Sequence, residues 1–352
     1  MQTSLEILSQ SRCFGGMQYV YQHVSMYCNT KMKFVVFLPK QSQQRKVPVL
    51  WFLSGVATNA EEAASNIQLQ KYASEHGIAV IYPDTSPRNT YTSGENSKKY
   101  VGLGAGFYLD AICSPWSKSY CMYSYLLDEM QSVVLRNFPV DRKKQAITGH
   151  AMGGHGALTI GLKHPDIFCS ISAFSPFCAP SKSGIAQQAF NAYLGTDKTM
   201  WDDYDATALI LNGKKSNEIL IDQGSEDKFL ATELKPDLFA IACDTKNQSL
   251  TFRIQQGYDD SYCFINSFLE DHVTFHSKAF KKIESNANKQ DIMTLSEEIS
   301  MTMDNNTEEV IEALEAIEGH CFDDLSKEIR TLENALLAKK AKNATKNKYT
   351  LK

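Results

Sequence analysis

The chain has 352 residues, 43% of them hydrophobic, and a formal net charge of −4. This is enough apolar material for one large core with something added to it, and it leaves no basic field to favour nucleic acid or an anionic membrane. No apolar run approaches the roughly 20 residues a membrane span needs, and the first dozen residues lack the apolar stretch of a secretion signal. The expectation is therefore a soluble, unsecreted protein of the cytoplasm or another reducing compartment.

In chain order, short β-branched or aromatic runs at 33–38, 48–53, 78–82, 145–148, 169–174, 218–222 and 250–255 predict strands. Longer amphipathic segments at 61–75, 120–137, 153–163, 235–242 and 262–278 predict helices between and after them. Repeated alternation of this kind predicts an α/β fold, a doubly wound and mostly parallel sheet with helices on both faces. From 281 to 307 the chain turns polar, and apolar residues then recur at helical steps, first at Val310, Leu314 and Ile317. After Gly319, read as a helix cap, the series Phe322, Leu325, Ile329, Leu332 and Leu336 gives a coiled-coil-like stripe of about two heptads. The end is lysine-rich, from Lys339 to Lys352, as solvated tails are. Two domains are expected, 1–280 and a helical extension 281–352.

Nine cysteines, an odd number without paired metal-ligand spacing, fit reduced thiols and no metal. The Asn-x-Ser/Thr triplets at Asn247, Asn305 and Asn343 are then chance matches.

The segment Gly149-His150-Ala151-Met152-Gly153 has the frame of the Gly-x-Ser-x-Gly nucleophile elbow, with alanine where the serine would stand. Around it lie Cys13-Phe14-Gly15-Gly16, Leu53-Ser54-Gly55, Pro83-Asp84-Thr85-Ser86-Pro87-Arg88, Gly106-Phe107-Tyr108, Pro115-Trp116, Met122-Tyr123-Ser124-Tyr125, Tyr193-Leu194-Gly195-Thr196-Asp197 and Leu220-Ile221-Asp222-Gln223-Gly224. In this order the motifs resemble the S-formylglutathione hydrolase (esterase D) family, of the α/β-hydrolase superfamily, across roughly residues 5–280. The resemblance implies a cytosolic thioesterase without cofactor, a homodimer, that hydrolyses S-formylglutathione in formaldehyde detoxification.

The family's chemistry uses a serine nucleophile, a histidine base and an aspartate that orients the base. The aspartate's loop is matched by Gly224-Ser225-Glu226-Asp227-Lys228-Phe229-Leu230, so the resemblance assigns that role to Asp227. The histidine's segment, Gly-Tyr-Asp-His-Ser-Tyr in the family, reads Gly257-Tyr258-Asp259-Asp260-Ser261-Tyr262, with Asp260 at the place of the base. Ala151 takes the place of the nucleophile. The oxyanion hole would come from the backbone amides of Val56 and Met152, which survive side-chain change. The loop after Val56 departs from the family's Leu-Thr-Cys-Thr-Glu and reads Val56-Ala57-Thr58-Asn59-Ala60. Trp116 is expected beside the substrate.

A single engineered Ser→Ala exchange accounts for Ala151 but not for Asp260 or the altered loop. His150 and His155 belong to the motif itself, and structural roles are expected for both. Ser54, Ser175, Ser225 and Ser261 are expected to be ordinary surface or loop serines, none on a strained turn above the oxyanion donors. Three functions follow as expectations. The first is an inactive homologue serving as a structural or assembly subunit, bound to a protein partner through the C-terminal helices or as a homodimer. The second is a slow thioesterase using groups not recognised, and the third is a module that holds glutathione or an acyl thioester uncleaved. Neither nucleic acid nor a membrane is expected as a partner.

Overall fold

Two strands that hydrophobic periodicity misses open the sheet. The computed structural model describes residues 5–302, beginning with β1 (Glu6–Cys13) and β2 (Gly16–Ser25). They pair antiparallel through the two-residue turn Phe14-Gly15, both at positive φ, with Cys13 opposite Gly16. Nearly every residue of β1 is exposed, so no buried face marks it in sequence.

The remaining strands are β3 (Thr30–Leu38), β4 (Val47–Leu53), β5 (Ala79–Pro83), β6 (Val140–His150), β7 (Phe168–Phe174), β8 (Ile219–Gly224) and β9 (Leu250–Gln255). All nine form one sheet in the order β1-β2-β3-β5-β4-β6-β7-β8-β9. Pairing is antiparallel from β1 to β5 across β3 and parallel from β5 through β9. The chain lays β5 on one side of β4 and then crosses to β6 on the other. That reversal puts a crevice at the carboxyl ends of β4 and β6, where open α/β sheets bind ligands.

Helices cover both faces: α1 (Ala60–Asn66), α2 (Leu69–His76), α3 (Met122–Ser124), α4 (Gln131–Asn137), α5 (Met152–Lys163), α6 (Gly184–Leu194), α7 (Ala206–Leu211), α8 (Pro236–Lys246) and α9 (Tyr262–Thr302). The strands send alternate residues to opposite faces. In β4, Val49, Trp51 and Leu53 join the core shared with α5, whereas Leu50 and Phe52 join the one beneath α1, α2 and α9. The expected α/β-hydrolase-like sheet is what the structure contains.

Several boundaries differ from expectation, each for a visible reason. The helix predicted over 61–75 is broken after Asn66, where Gln68 donates its amide to Asn266 Oδ1 at 3.0 Å and Asn266 Nδ2 donates to the Asn66 carbonyl at 3.0 Å. A side chain from α9 thus satisfies backbone groups that a continuous helix would pair internally. Between α3 and α4 the chain makes a π-helical turn over Tyr125–Met130. The polar stretch from 281 is helical through Thr302, as the continuation of α9. No described helix is long and apolar enough to cross a membrane, and the cysteines among the described residues are free thiols. The apolar stripes beyond Val310, Gly319, Cys321, Asn305, Asn343 and the lysine-rich end lie outside the described residues.

Helix α9 is tied to the sheet by buried polar groups. Asp222 of β8 accepts two hydrogen bonds of 2.6 Å from Arg253 and one of 3.2 Å from His272 Nε2. A carboxylate only accepts, so Nε2 carries the proton and His272 Nδ1 accepts from Ser172 Oγ at 2.8 Å. His276 bridges Ser172 and Ser170, both at 2.8 Å, and the His272 ring stacks on Phe174 at 3.8 Å. These contacts anchor the helix that begins two residues after Asp260.

Candidate active site

The elbow keeps its geometry without its serine. Ala151 stands between β6 and α5 at φ 50° and ψ −112°, a region costly for any residue with a Cβ. Its amide donates to the Phe174 carbonyl at 2.9 Å and its carbonyl accepts from the His155 amide at 2.9 Å. Glycine is required on both sides: a Cβ on Gly149 would run into the Gly153 carbonyl, and one on Gly153 into the Leu53 carbonyl. The turn is therefore dictated by packing, whatever side chain occupies position 151.

Ala151 lines a cavity of about 380 Å³ with Gly55, Val56, His150, Ser175, Asp227 and Asp260, and Lys99 and Lys228 also line it. Gly55 and Val56 follow β4, Ala151 follows β6, Ser175 follows β7, Asp227 follows β8 and Asp260 follows β9, so five parallel strands deliver their carboxyl ends to one place. Asp227 is buried and fully engaged. Its Oδ1 accepts from the Phe229 amide at 2.8 Å and its Oδ2 from Gln223 Nε2 at 3.1 Å. Met152 buries its side chain in the core, and its amide is the first of a twelve-residue helix, without a partner inside that helix. The structure brings Val56, Ala151, Asp227 and Asp260 together on one cavity, and Met152 follows Ala151 directly in the chain.

Trp116 is a correction. It does not line the cavity but is buried at 7% exposure, its ring edge-on to Tyr120 at 4.9 Å and to Tyr193 at 5.4 Å. These aromatic neighbours give it a core role. Ser175 has φ 43° and lines the cavity, on the turn after β7 rather than at the elbow. Its Oγ accepts a hydrogen bond from Gln223 Nε2 at 3.2 Å. Ser261 also lines the cavity, whereas Ser54 Oγ is buried without a partner.

The two motif histidines differ in surroundings. His155 is buried, within 3.2 Å of the Phe107 carbonyl, and burial pushes its pKa down to about 4. It is a neutral packing group. His150 lines the cavity, with Nε2 buried and unpartnered. Burial lowers its pKa, opposed by the charges of Asp260 and Asp227 and by a hydrogen bond to the Asp260 backbone.

Sequence reasoning did not place His150, Ser175, Lys99 and Lys228 at the cavity: His150 is the last residue of β6, and the other three stand on loops that have no periodicity. It also missed why the loop after Val56 reads as it does. Asn59 caps α1, accepting from the Glu62 amide at 2.9 Å while Glu62 accepts from the Asn59 amide at 3.2 Å. The Asn-x-x-Glu spacing was the available sign. Thr58 offers its carbonyl to Thr85 and to Arg88, the latter at 3.2 Å.

Comparison with known proteins gives a consistent picture. A family described as putative esterase matches residues 25–275. The S-formylglutathione hydrolase of Paracoccus denitrificans (strain Pd 1222) is 45% identical over 278 residues, covering 79% of this chain and 99% of that one. That of Mus musculus is 45% identical over 277 residues, covering 78% and 98%. Among solved structures, an S-formylglutathione hydrolase from Agrobacterium tumefaciens aligns with a TM-score of 0.77 at 42% identity, covering 78% of this chain and 99% of that one.

Proposed function

The chain belongs to the S-formylglutathione hydrolase family of esterases, and on that premise we propose that it is a catalytically inactive member, retained as a structural or assembly subunit. One observation carries the reading: the strained elbow points a methyl group into the cavity where acyl transfer needs a hydroxyl, and the loop ahead of α9 supplies Asp260 where it needs an imidazole. Near neutral pH a carboxylate is a far weaker general base than an imidazole. What remains, Asp227 and the amides of Val56 and Met152, orients and stabilises but neither attacks nor takes a proton. Ser175 is no substitute, because it follows a different strand from the one that feeds the elbow and its Oγ is held by Gln223. The apolar stripe at Phe322 to Leu336 is the proposed attachment to a protein partner or a second copy.

Loss of the serine or histidine of such a triad costs about 10⁶ in turnover. From an ordinary enzyme near 10 s⁻¹ this leaves roughly 10⁻⁵ s⁻¹. The test is hydrolysis of S-formylglutathione and of an activated phenyl ester by the unaltered chain, by Ala151→Ser, by Asp260→His and by the double variant. The unaltered chain and both single variants are expected at background, and the double variant orders of magnitude above it. Ordinary esterase turnover by the unaltered chain would sink the proposal.

A further inference from the structure

Four carboxylates stand on the loops after β8 and β9, and their satisfaction differs; the exposed Glu226 accepts from Ser225 Oγ at 3.2 Å. Asp227 is engaged by an amide and by Gln223, and Asp259 accepts from the Ser261 amide at 2.9 Å. Asp260 lines the cavity half-buried, and among the described residues its carboxylate accepts no hydrogen bond and has no lysine or arginine at ion-pair distance. Beside it lies His150, whose Nε2 is buried without a partner. An open carboxylate in a concave, partly dehydrated wall calls for a cation that brings several donors, and a primary ammonium carries three.

Other groups at the same cavity have the opposite character. The elbow adds a methyl group and no hydroxyl, leaving as donors the amide of Met152, at the positive end of a twelve-residue helix, and that of Val56 on the loop after β4. Lys99 and Lys228 line the same cavity and reinforce that sign. A lone anion would meet Asp260, and a lone cation would meet the lysines and the helix end. A molecule with both charges satisfies both kinds of group, and about 380 Å³ is the size of a small-molecule site.

We propose that this cavity binds a small amino-carboxylate, its ammonium on Asp260 beside His150 and its carboxylate on the amides of Val56 and Met152. The inference rests on the non-hydrolysing reading of the site, since it uses Asp260 as a binding group and the vacated elbow as space.

The experiment is calorimetric titration of the full chain with glycine, β-alanine, 4-aminobutyrate and 6-aminohexanoate, with butyrate and butylamine as singly charged controls. One zwitterion is expected to bind at least about tenfold more tightly than either control. Asp260→Asn and Asp260→His are each expected to weaken it by about tenfold or more with the unfolding temperature unchanged. Failure of every zwitterion to bind, equal binding of butyrate or butylamine, or unaltered affinity in both variants would overturn the inference. The same preparations are assayed for ester hydrolysis. Turnover by the unaltered chain overturns both readings, and an inert chain that binds no zwitterion overturns only this one.

Discussion

Position 151 shows how much of the site is backbone. The elbow's φ and ψ persist without a side chain that uses them, because Gly149 and Gly153 are pressed against the Gly153 and Leu53 carbonyls and have no room to relax. Ala151→Gly is therefore expected to stabilise the fold by about 1 kcal/mol, since glycine accepts positive φ without steric cost. Gly153→Ala is expected to destabilise it by about 2 kcal/mol or more, through backbone collision that no rotamer relieves. Urea unfolding of the two variants checks both signs. At this scale the motif positions Ala151, Asp227 and Asp260, distant in sequence, were legible because each sits at a fixed place in a long pattern, and the sheet then brings them to one cavity. Trp116 was misread because an aromatic residue in a loop looks the same in sequence whether it faces a ligand or, as here, Tyr120 and Tyr193.

At the scale of elements, the buried histidines set a pH dependence. Burial holds His155 down to about 4 and lowers His272 and His276, so the folded protein keeps them neutral where the unfolded chain, near 6.5, takes up protons. A depressed histidine contributes stability that is present above 6.5 and is lost as pH falls below it, by about 1.4 kcal/mol per pH unit for each group. Asp222 adds to this only at much lower pH. Burial raises its pKa, but His272 and Arg253 outweigh that and bring it to about 2, so its contribution is lost between roughly 4 and 2. Thermal unfolding is expected to drop steadily from pH 7 to pH 5, and the slope to be shallower in His155→Gln. A slope unchanged in that variant would remove His155 from the account. The docking of α9 could not be read from the sequence, because His272, His276 and Ser172 acquire meaning only when α9 lies across β7 and β8. The break after Asn66 was invisible for the same reason, since its partner is Asn266.

Across the whole molecule, the parallel part of the sheet was legible from short runs with β-branched or aromatic residues, largely buried, such as 48–53 and 169–174. The hairpin of β1 and β2 was not, because an exposed edge strand carries no such run. The core contribution of α9 comes from Phe264, Ile265, Leu269, Val273 and Phe280, and the compact unit ends at Ile283. A chain shortened to residues 1–286 is accordingly expected to unfold within a few degrees of the full-length protein, as measured by calorimetry. A large drop would mean that later residues supply core contacts.

The elbow also separates two quantities that are often entangled in enzymes. Its conformation is enforced from below, by strand packing and by glycines that cannot move, and nothing in that enforcement consults the side chain above. Position 151 is in effect a socket: the turn, the helix behind it and the amides around it are the same whether the plug is inert or reactive. Reactivity at this site can be removed or installed without rebuilding the fold, and the history of one is not recorded in the integrity of the other.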